Sequence, residues 1–600
     1  MLSVTSDRLD YGELLQAPPG YRLNLGIATT FSLDLETLVA ASLALNLNET
    51  LEDDISGERL ALLESLDQLQ ERLLVFYHEG NVKVPKNFNR LFTLLEPLLV
   101  PSVALDGPKG AFASFHPKIW LLRFAPQDSK NPVHLRLVVL SRNLTFDRSL
   151  DIAVAIDGRV VKRGANSDPK LVEFLHSLLD GEKHAASLES MCETLEAVKW
   201  DEPTAFNEFS ILPGLAPTPQ NAAMAPIDLK GKIDELLVVS PFVDADETSL
   251  LRELGVRTKG RKTLISRADT LDAIGEATLD GWDVKSVSEL VVDGEERLHQ
   301  DQPSQQDLHA KLIVAKTAEG AVWHVGSANM TNAAFGQPSK GVPPRNRELM
   351  LRLVGSNSKV GPQKVLDEWG ETGVFEKHIF SDRKNIAAEA NPDFRRAVYA
   401  LTSASWSIHV EQGIEGNYSV ELSVSPLPQL PTGYRVKVGL LCRQAWRELA
   451  SKLRWEKLKL TDVSAFVPIE ITSDENKFSK TFAIQASFSA DIMDARKRAI
   501  FRETVESSEK LLKYLALLLD AGASKSKWFR ADGGDSDVDI FGIGGTGGLY
   551  EQLLRAAARA PDRLGRALRV FQRLDDEGVP TPPGLKELFK GFAIYAEVQK

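Results

Sequence analysis

The sequence predicts an α/β protein made of two duplicated lobes, each a mixed sheet flanked by helices, with an added β-rich module and helices towards its C-terminal end. Three observations predict it. One short constellation of residues occurs twice in the same order, a strand, turn and helix pattern precedes it both times, and a run of alternating segments follows the second copy. Repetition of a whole series marks internal duplication, in which each copy is one structural unit.

Residues 1–200 read as the first lobe. "YRLNLGIATTFSLDLETLV" gives a buried strand, a short turn, an acidic N-cap region and a helix. His116-Pro117-Lys118 opens "HPKIWLLRF", apolar and aromatic enough for a strand, and the alternation of strand side chains puts His116 and Lys118 on one face. "LRLVVLSRN" is its neighbour and ends at Ser141-Arg142-Asn143, after which Asp151 heads the apolar "DIAVAI". Residues 201–228, with "FSILPGLAPTPQNAAMAP", are rich in Pro and Ala and read as the linker between lobes.

The second lobe, residues 229–398, repeats the plan. "DELLVVSPFVDADETSLL" supplies strand, turn and helix, "HAKLIVA" carries His309 and Lys311, and "AVWHVGSAN" ends at Ser327-Ala328-Asn329. "KTAEG" reads as the hairpin turn between them, and Glu348 starts "ELMLRL". The longer hairpin of the first copy is accommodated by the polar loop "APQDSKNPV".

Residues 399–525 combine a β-rich module of sandwich or barrel type with a helix, because segments such as "SWSIHVEQ" and "YSVELSVSPL" alternate between Pro, Gly and Asn turns before "ARKRAIFRETVESSEKLLKYLALLLD" takes a helical period. Residues 526–600 read as a Gly-rich linker and terminal helices. Gly542, Gly544 and Gly547 fall in a G-x-G-x-x-G pattern before a helix, but no second parallel strand follows, so the pattern is read as a turn and no nucleotide cofactor is expected.

Composition bounds the function. The 600 residues are 43% hydrophobic and include only two cysteines, Cys192 and Cys442, which argues for a reducing compartment and against a disulfide framework or a Cys-based zinc site. No signal peptide and no apolar run of about 18 residues is evident, so a cytoplasmic protein with no membrane partner is expected. The net charge is −12, so any nucleic acid must be held by a local basic cleft. Arg142, Arg345 and Arg347 lie beside the motifs and are the candidates, whereas the run Arg257, Lys259, Arg261 and Lys262 reads as a solvated loop. The nine Trp are scattered, and their spacing shows no stacking platform.

The repeated residue types support phosphodiester cleavage without a metal. A neutral imidazole attacks phosphorus while a protonated one gives its proton to the leaving oxygen, so two His are needed in one site. Lys118, Lys311, Asn143 and Asn329 would stabilise charge on the phosphoryl oxygens, and Asp151 and Glu348 would orient the imidazoles. No metal site is expected, since no acidic cluster suited to Mg²⁺ can be read.

The pattern resembles the phospholipase D superfamily, over residues 20 to 360 or thereabouts and specifically around the two motifs. "GSANMTNAAFG" followed by "RNREL" is similar to the second motif of the tyrosyl-DNA phosphodiesterases. The phospholipase form, His-x-Lys-x4-Asp, is broken by Arg123 and Lys316, which favours the His-Lys-Asn branch that acts on nucleic acid. The resemblance implies His116 as nucleophile and His309 as general acid, with Ser141, Arg142, Ser327, Arg345 and Arg347 on the substrate side. DNA is the favoured substrate, and by analogy of fold a place in bacterial restriction or antiphage defence beside a helicase or another defence protein is expected. The alternatives are an end-processing phosphodiesterase, a phospholipase or phosphatidyl transferase, and a non-catalytic nucleic-acid-binding subunit. The oligomeric state is not legible.

Overall fold

The computed structural model describes residues 11–47, 59–102, 112–145, 149–179, 184–215, 223–287, 307–370, 373–381, 392–474 and 479–505, residues 511, 512, 515 and 519, and 549–559, 561–576, 581 and 584–598. The glycine pattern at Gly542, Gly544 and Gly547 lies outside the described residues. The fold is mixed α/β, with several sheets flanked by helices.

Duplication is visible in the order of the strands. The first lobe contributes β1 (Tyr21–Thr30), β2 (Leu73–His78), β3 (Leu99–Ser102), β4 (Ile119–Pro126), β5 (His134–Leu140), β6 (Ala153–Val160) and β7 (Val198–Trp200), arranged β7-β6-β5-β4-β1-β2-β3. The second contributes β8 (Phe206–Gly214), β9 (Glu235–Val239), β10 (Lys262–Ile265), β11 (Asp283–Val287), β12 (Leu312–Thr317), β13 (Gly320–Gly326), β14 (Glu348–Gly355) and β15 (Phe375–Lys377), arranged β8-β14-β13-β12-β9-β10-β11-β15. In each, one strand, β1 or β9, begins a parallel run with the two that follow it, β2-β3 or β10-β11, on one side. On its other side it meets an antiparallel meander of three strands, β4-β5-β6 or β12-β13-β14.

Residues 206–214, placed in the linker by composition, form β8 and pair antiparallel with β14. The Pro and Gly that suggested a linker sit at the end of an edge strand, where a missing N–H donor breaks no ladder bond.

Strand periodicity sorts the side chains into layers. Ile119 and Leu121 of β4, Leu237 and Val239 of β9, and Leu312 and Val314 of β12 enter one shared core between the two sheets, with Trp200, Trp323 and Trp369. The intervening residues face outwards. Trp120, Leu122 and Phe124 meet helices Leu35–Leu47 and Arg59–Leu69 and the terminal helices Leu549–Arg559, Pro561–Asp576 and Leu585–Val598. Leu236, Val238, Ile313 and Ala315 meet helix Leu250–Arg257. The lobes therefore hold each other through buried apolar surface, the dominant favourable contribution to such association.

The module after residue 399 is a pair of sheets over one core, as the alternation predicts. One sheet is extended by two short strands of the first lobe, Val82–Lys83 and Leu33–Asp34, through pairing of Ala483 with Val82. Arg496 of helix Ala490–Thr504 forms a buried ion pair of 2.5 Å with Glu96, and Gln485 accepts from the Tyr77 hydroxyl. The module is thus stitched to the first lobe and has no counterpart contact with the second of comparable burial among the described ion pairs.

Candidate active site

Both motifs lie at the same end of the two sheets. His116 and Lys118 lead into β4 where it meets the end of β1, and His309 and Lys311 lead into β12 where it meets the end of β9. Asn143 follows β5, Asn329 follows β13, Asp151 precedes β6, and Glu348 is the first residue of β14.

The two loops after the meanders are fixed by identical bonds. The Thr30 hydroxyl accepts from the Leu144 amide at 3.0 Å and the Ser240 hydroxyl accepts from the Met330 amide at 2.9 Å, each next to its Asn. The amides of Asp34 and Asp244 donate to the carbonyls of Leu144 and Met330. Ser141 and Ser327 accept from the amides of Ile152 and Leu349, and donate to Asp151 and Glu348. These two serines are 1% and 0% exposed, and their hydroxyls brace the acidic strands.

One acid crosses between copies. His116 Nδ1 lies 2.9 Å from Glu348 Oε2, so the first imidazole is held by the second copy's carboxylate. The backbone crosses both ways, because the His116 amide donates to the Arg347 carbonyl and the His309 amide to the Leu150 carbonyl, each the residue before an acid. The sequence places an acid in each copy; it does not show this exchange.

Glu348 is fully buried, and burial alone would raise its pKa. His116, Lys118 and the Ser327 hydroxyl outweigh that and hold the carboxyl below its usual range. An ionised Glu348 makes Nδ1 of His116 the protonated nitrogen and leaves the lone pair on Nε2. Burial, opposed by Glu348 and reinforced by Lys118 and Lys311, lowers the His116 pKa from 6.5 to about 4, so the ring is neutral at pH 7.

Lys118 and Lys311 are buried at 1% and 4% exposure, and each donates to the carbonyl of its own copy's His. Burial first, then the charge of Lys311, pushes the Lys118 ammonium well below its ordinary pKa. That coupling puts the two lysines in one site. The side-chain oxygens of Asn143 and Asn329 are buried without a hydrogen-bond partner, twice at the same place in the repeat. An amide oxygen accepts and so does an oxyanion, so it is the Nδ2 donors of these two side chains, with the two buried lysines, that can stabilise phosphoryl oxygens here.

Arginines divide. Arg142 donates to the Thr145 carbonyl and stands 4.0 Å from Asp151. Arg347 donates to the Ser177 carbonyl, which assigns its guanidinium to the contact between lobes and corrects its predicted substrate role. Arg345 is half-buried and its buried Nε makes no hydrogen bond among the described residues. In the basic run, Arg257 bonds the carbonyls of Leu229 and Gly231, and Arg261 meets Asp283 and Gln363, both structural.

Three contributors escaped the sequence reading. Asn346 donates to Glu348 and accepts from the Ser114 amide, fixing the acid and the approach to His116 together. Phe31 packs edge-on against His116 at 5.0 Å and stacks on His78 at 5.1 Å. His78 accepts from the Phe115 amide, and burial lowers its pKa to about 3. The one legible signal was the hydroxyl at the same point of both upstream repeats, Thr30 and Ser240.

Among the described residues, no group of three or more His, Cys, Asp or Glu could hold a metal ion, and no helix is long and apolar enough to cross a membrane. No protein-family model matches the chain, and no curated protein matches it. Among solved structures, a polyphosphate kinase from Porphyromonas gingivalis is similar at 11% identity with a TM-score of 0.28, over 64% of this chain and 52% of that one. The chain spans about half the length of that protein, and a likeness at this level says nothing about activity.

Proposed function

We propose that this chain is a metal-independent phosphodiesterase that hydrolyses nucleic acid, DNA in the first instance, through a covalent phosphohistidine. The observation that carries the reading is the crossing of the two His-Lys-Asn copies: His116 is bound by Glu348, and the His116 and His309 amides each bond the carbonyl before the other copy's acid. In the proposed reaction, Nε2 of neutral His116 attacks phosphorus, the bond to the leaving oxygen breaks, and the proton of His309 passes to that oxygen. Water, deprotonated by the now neutral His309, then displaces His116 from phosphorus. The four Lys and Asn side chains stabilise charge on the non-bridging oxygens throughout.

End processing, phospholipid hydrolysis and binding without catalysis remain different outcomes of one assay. Labelled single- and double-stranded DNA and RNA, with blocked and free ends, are incubated with the chain in EDTA. Internal cleavage that survives the chelator supports the reading; activity that appears only with added Mg²⁺ overturns it. A place in restriction or antiphage defence, with a helicase or another defence protein, rests on analogy of fold.

A further inference from the structure

Phe242 stands on a turn that is hydrogen-bonded to the loop carrying Asn329. The Ser240 hydroxyl donates to the Phe242 carbonyl while accepting from Met330, next to Asn329. Ser266 donates to the Ser240 carbonyl at 2.7 Å, and Thr270 donates to the Pro241 carbonyl at 2.8 Å. Yet Phe242 is 45% exposed. The Arg267 guanidinium lies 5.3 Å from its ring centroid and is itself held by both oxygens of Asp269.

A single exposed aromatic residue needs no explanation on most surfaces. This one is different in its setting. It is anchored by four side-chain hydrogen bonds of its turn, it adjoins the loop that carries Asn329, and a cation sits over it. An aromatic face accepts a nucleobase by stacking, without preference for sequence, and Arg267, its charge paired with Asp269, props the ring in place. Bases inside a duplex already stack on one another and offer no free face.

We propose that Phe242, with Arg267, is a stacking platform for an unpaired base of the substrate strand, close to the phosphate bound at Asn329. This rests on the nucleic-acid reading above and narrows it to single-stranded substrate or a frayed end.

The test uses the full chain carrying His309→Ala to stop turnover, and fluorescence anisotropy with single-stranded DNA and RNA oligonucleotides in which one abasic position is moved along the strand. One abasic position weakens binding about tenfold, within the range for a base stacked on an aromatic side chain. Adding Phe242→Ala weakens the intact oligonucleotide by the same factor and leaves the oligonucleotide abasic at that position no weaker, whereas Phe242→Trp keeps the affinity. Circular dichroism and melting confirm that each variant is folded. Unchanged affinity in Phe242→Ala, or an equal loss on blunt duplex, overturns the platform. A wild-type chain that neither binds nor cleaves any oligonucleotide overturns the nucleic-acid reading itself.

Discussion

The two lobes keep the same bonds around the site and differ in the turn after their first strand. Thr30 and Ser240, Ser141 and Ser327, and the carbonyls of Leu150 and Arg347 do matching work in the two copies. In the first lobe the turn sends Phe31 inwards, between His78 and His116. In the second it sends Phe242 out to solvent under Arg267. The hydrogen bonds put Phe31 level with Pro241, so the two phenylalanines are one position out of step. Duplication has kept what sets the backbone of the site, and the divergence puts one phenylalanine against the first imidazole and the other in solvent.

The largest effect breaks that comparison at its centre. His116→Ala and His309→Ala each lower kcat by about 10³-fold or more on the proposed mechanism, and the double variant loses little beyond either single one, because the two act as a unit. Steady-state rates on one oligonucleotide measure this. A single variant that keeps half the activity shows two independent sites instead of one shared site.

The second effect concerns what each lobe leans on. Among the described residues, Arg496, the Ser464 hydroxyl and the Ala465 amide satisfy the Glu96 carboxylate in the wall between the first lobe and the C-terminal module. Arg496→Met leaves a buried carboxylate without its charge partner and lowers stability by about 3–5 kcal/mol. Thermal and denaturant melting should show it. For the same reason a chain cut near residue 400 loses the cover of the first lobe's outer core and unfolds there, so the module is not a detachable recognition unit. A truncated chain with the melting behaviour of the whole would contradict this.

Much of this was legible because it is local. Each strand of the meanders announces itself by alternation, and the two His-Lys and Ser-x-Asn pairs sit on those strands, so the lobes and all eight proposed catalytic residues could be read in order. What could not be read depends on how the lobes meet. The exchange of Glu348 to His116, the inward turn of Ser141 and Ser327, and the use of Arg347 on Ser177 are contacts across more than 150 positions or into a core that no spacing describes. β8 was hidden because Pro and Ala mark an edge strand and a linker alike.

The crossing itself gives a third effect. Glu348→Gln keeps the shape but removes the charge that fixes the His116 tautomer, and is expected to lower kcat by about 10²-fold with little change in KM. A change confined to KM would show that Glu348 holds substrate and not the imidazole.

The smallest effect separates the two aromatic turns. Burial is the first cause of the low His116 pKa, about 4, and Phe31 is part of that burial. The direction follows from the charged form. Water admitted beside the ring stabilises imidazolium, so the pKa rises from about 4 towards the ordinary value near 6.5, and less of the ring is neutral at pH 5. Phe31→Ala therefore moves the acid limb of kcat/KM upwards by about one pH unit, a loss of about fivefold at pH 4 and about twofold at pH 5 with almost no change at pH 8. Phe242→Ala, on the turn that faces solvent, leaves the limb where it was and acts on KM. A pH profile from 4 to 9 on each variant reads both at once, and a limb that shifts equally in the two would mean that the turns differ in shape alone and that Phe31 does not set the His116 pKa.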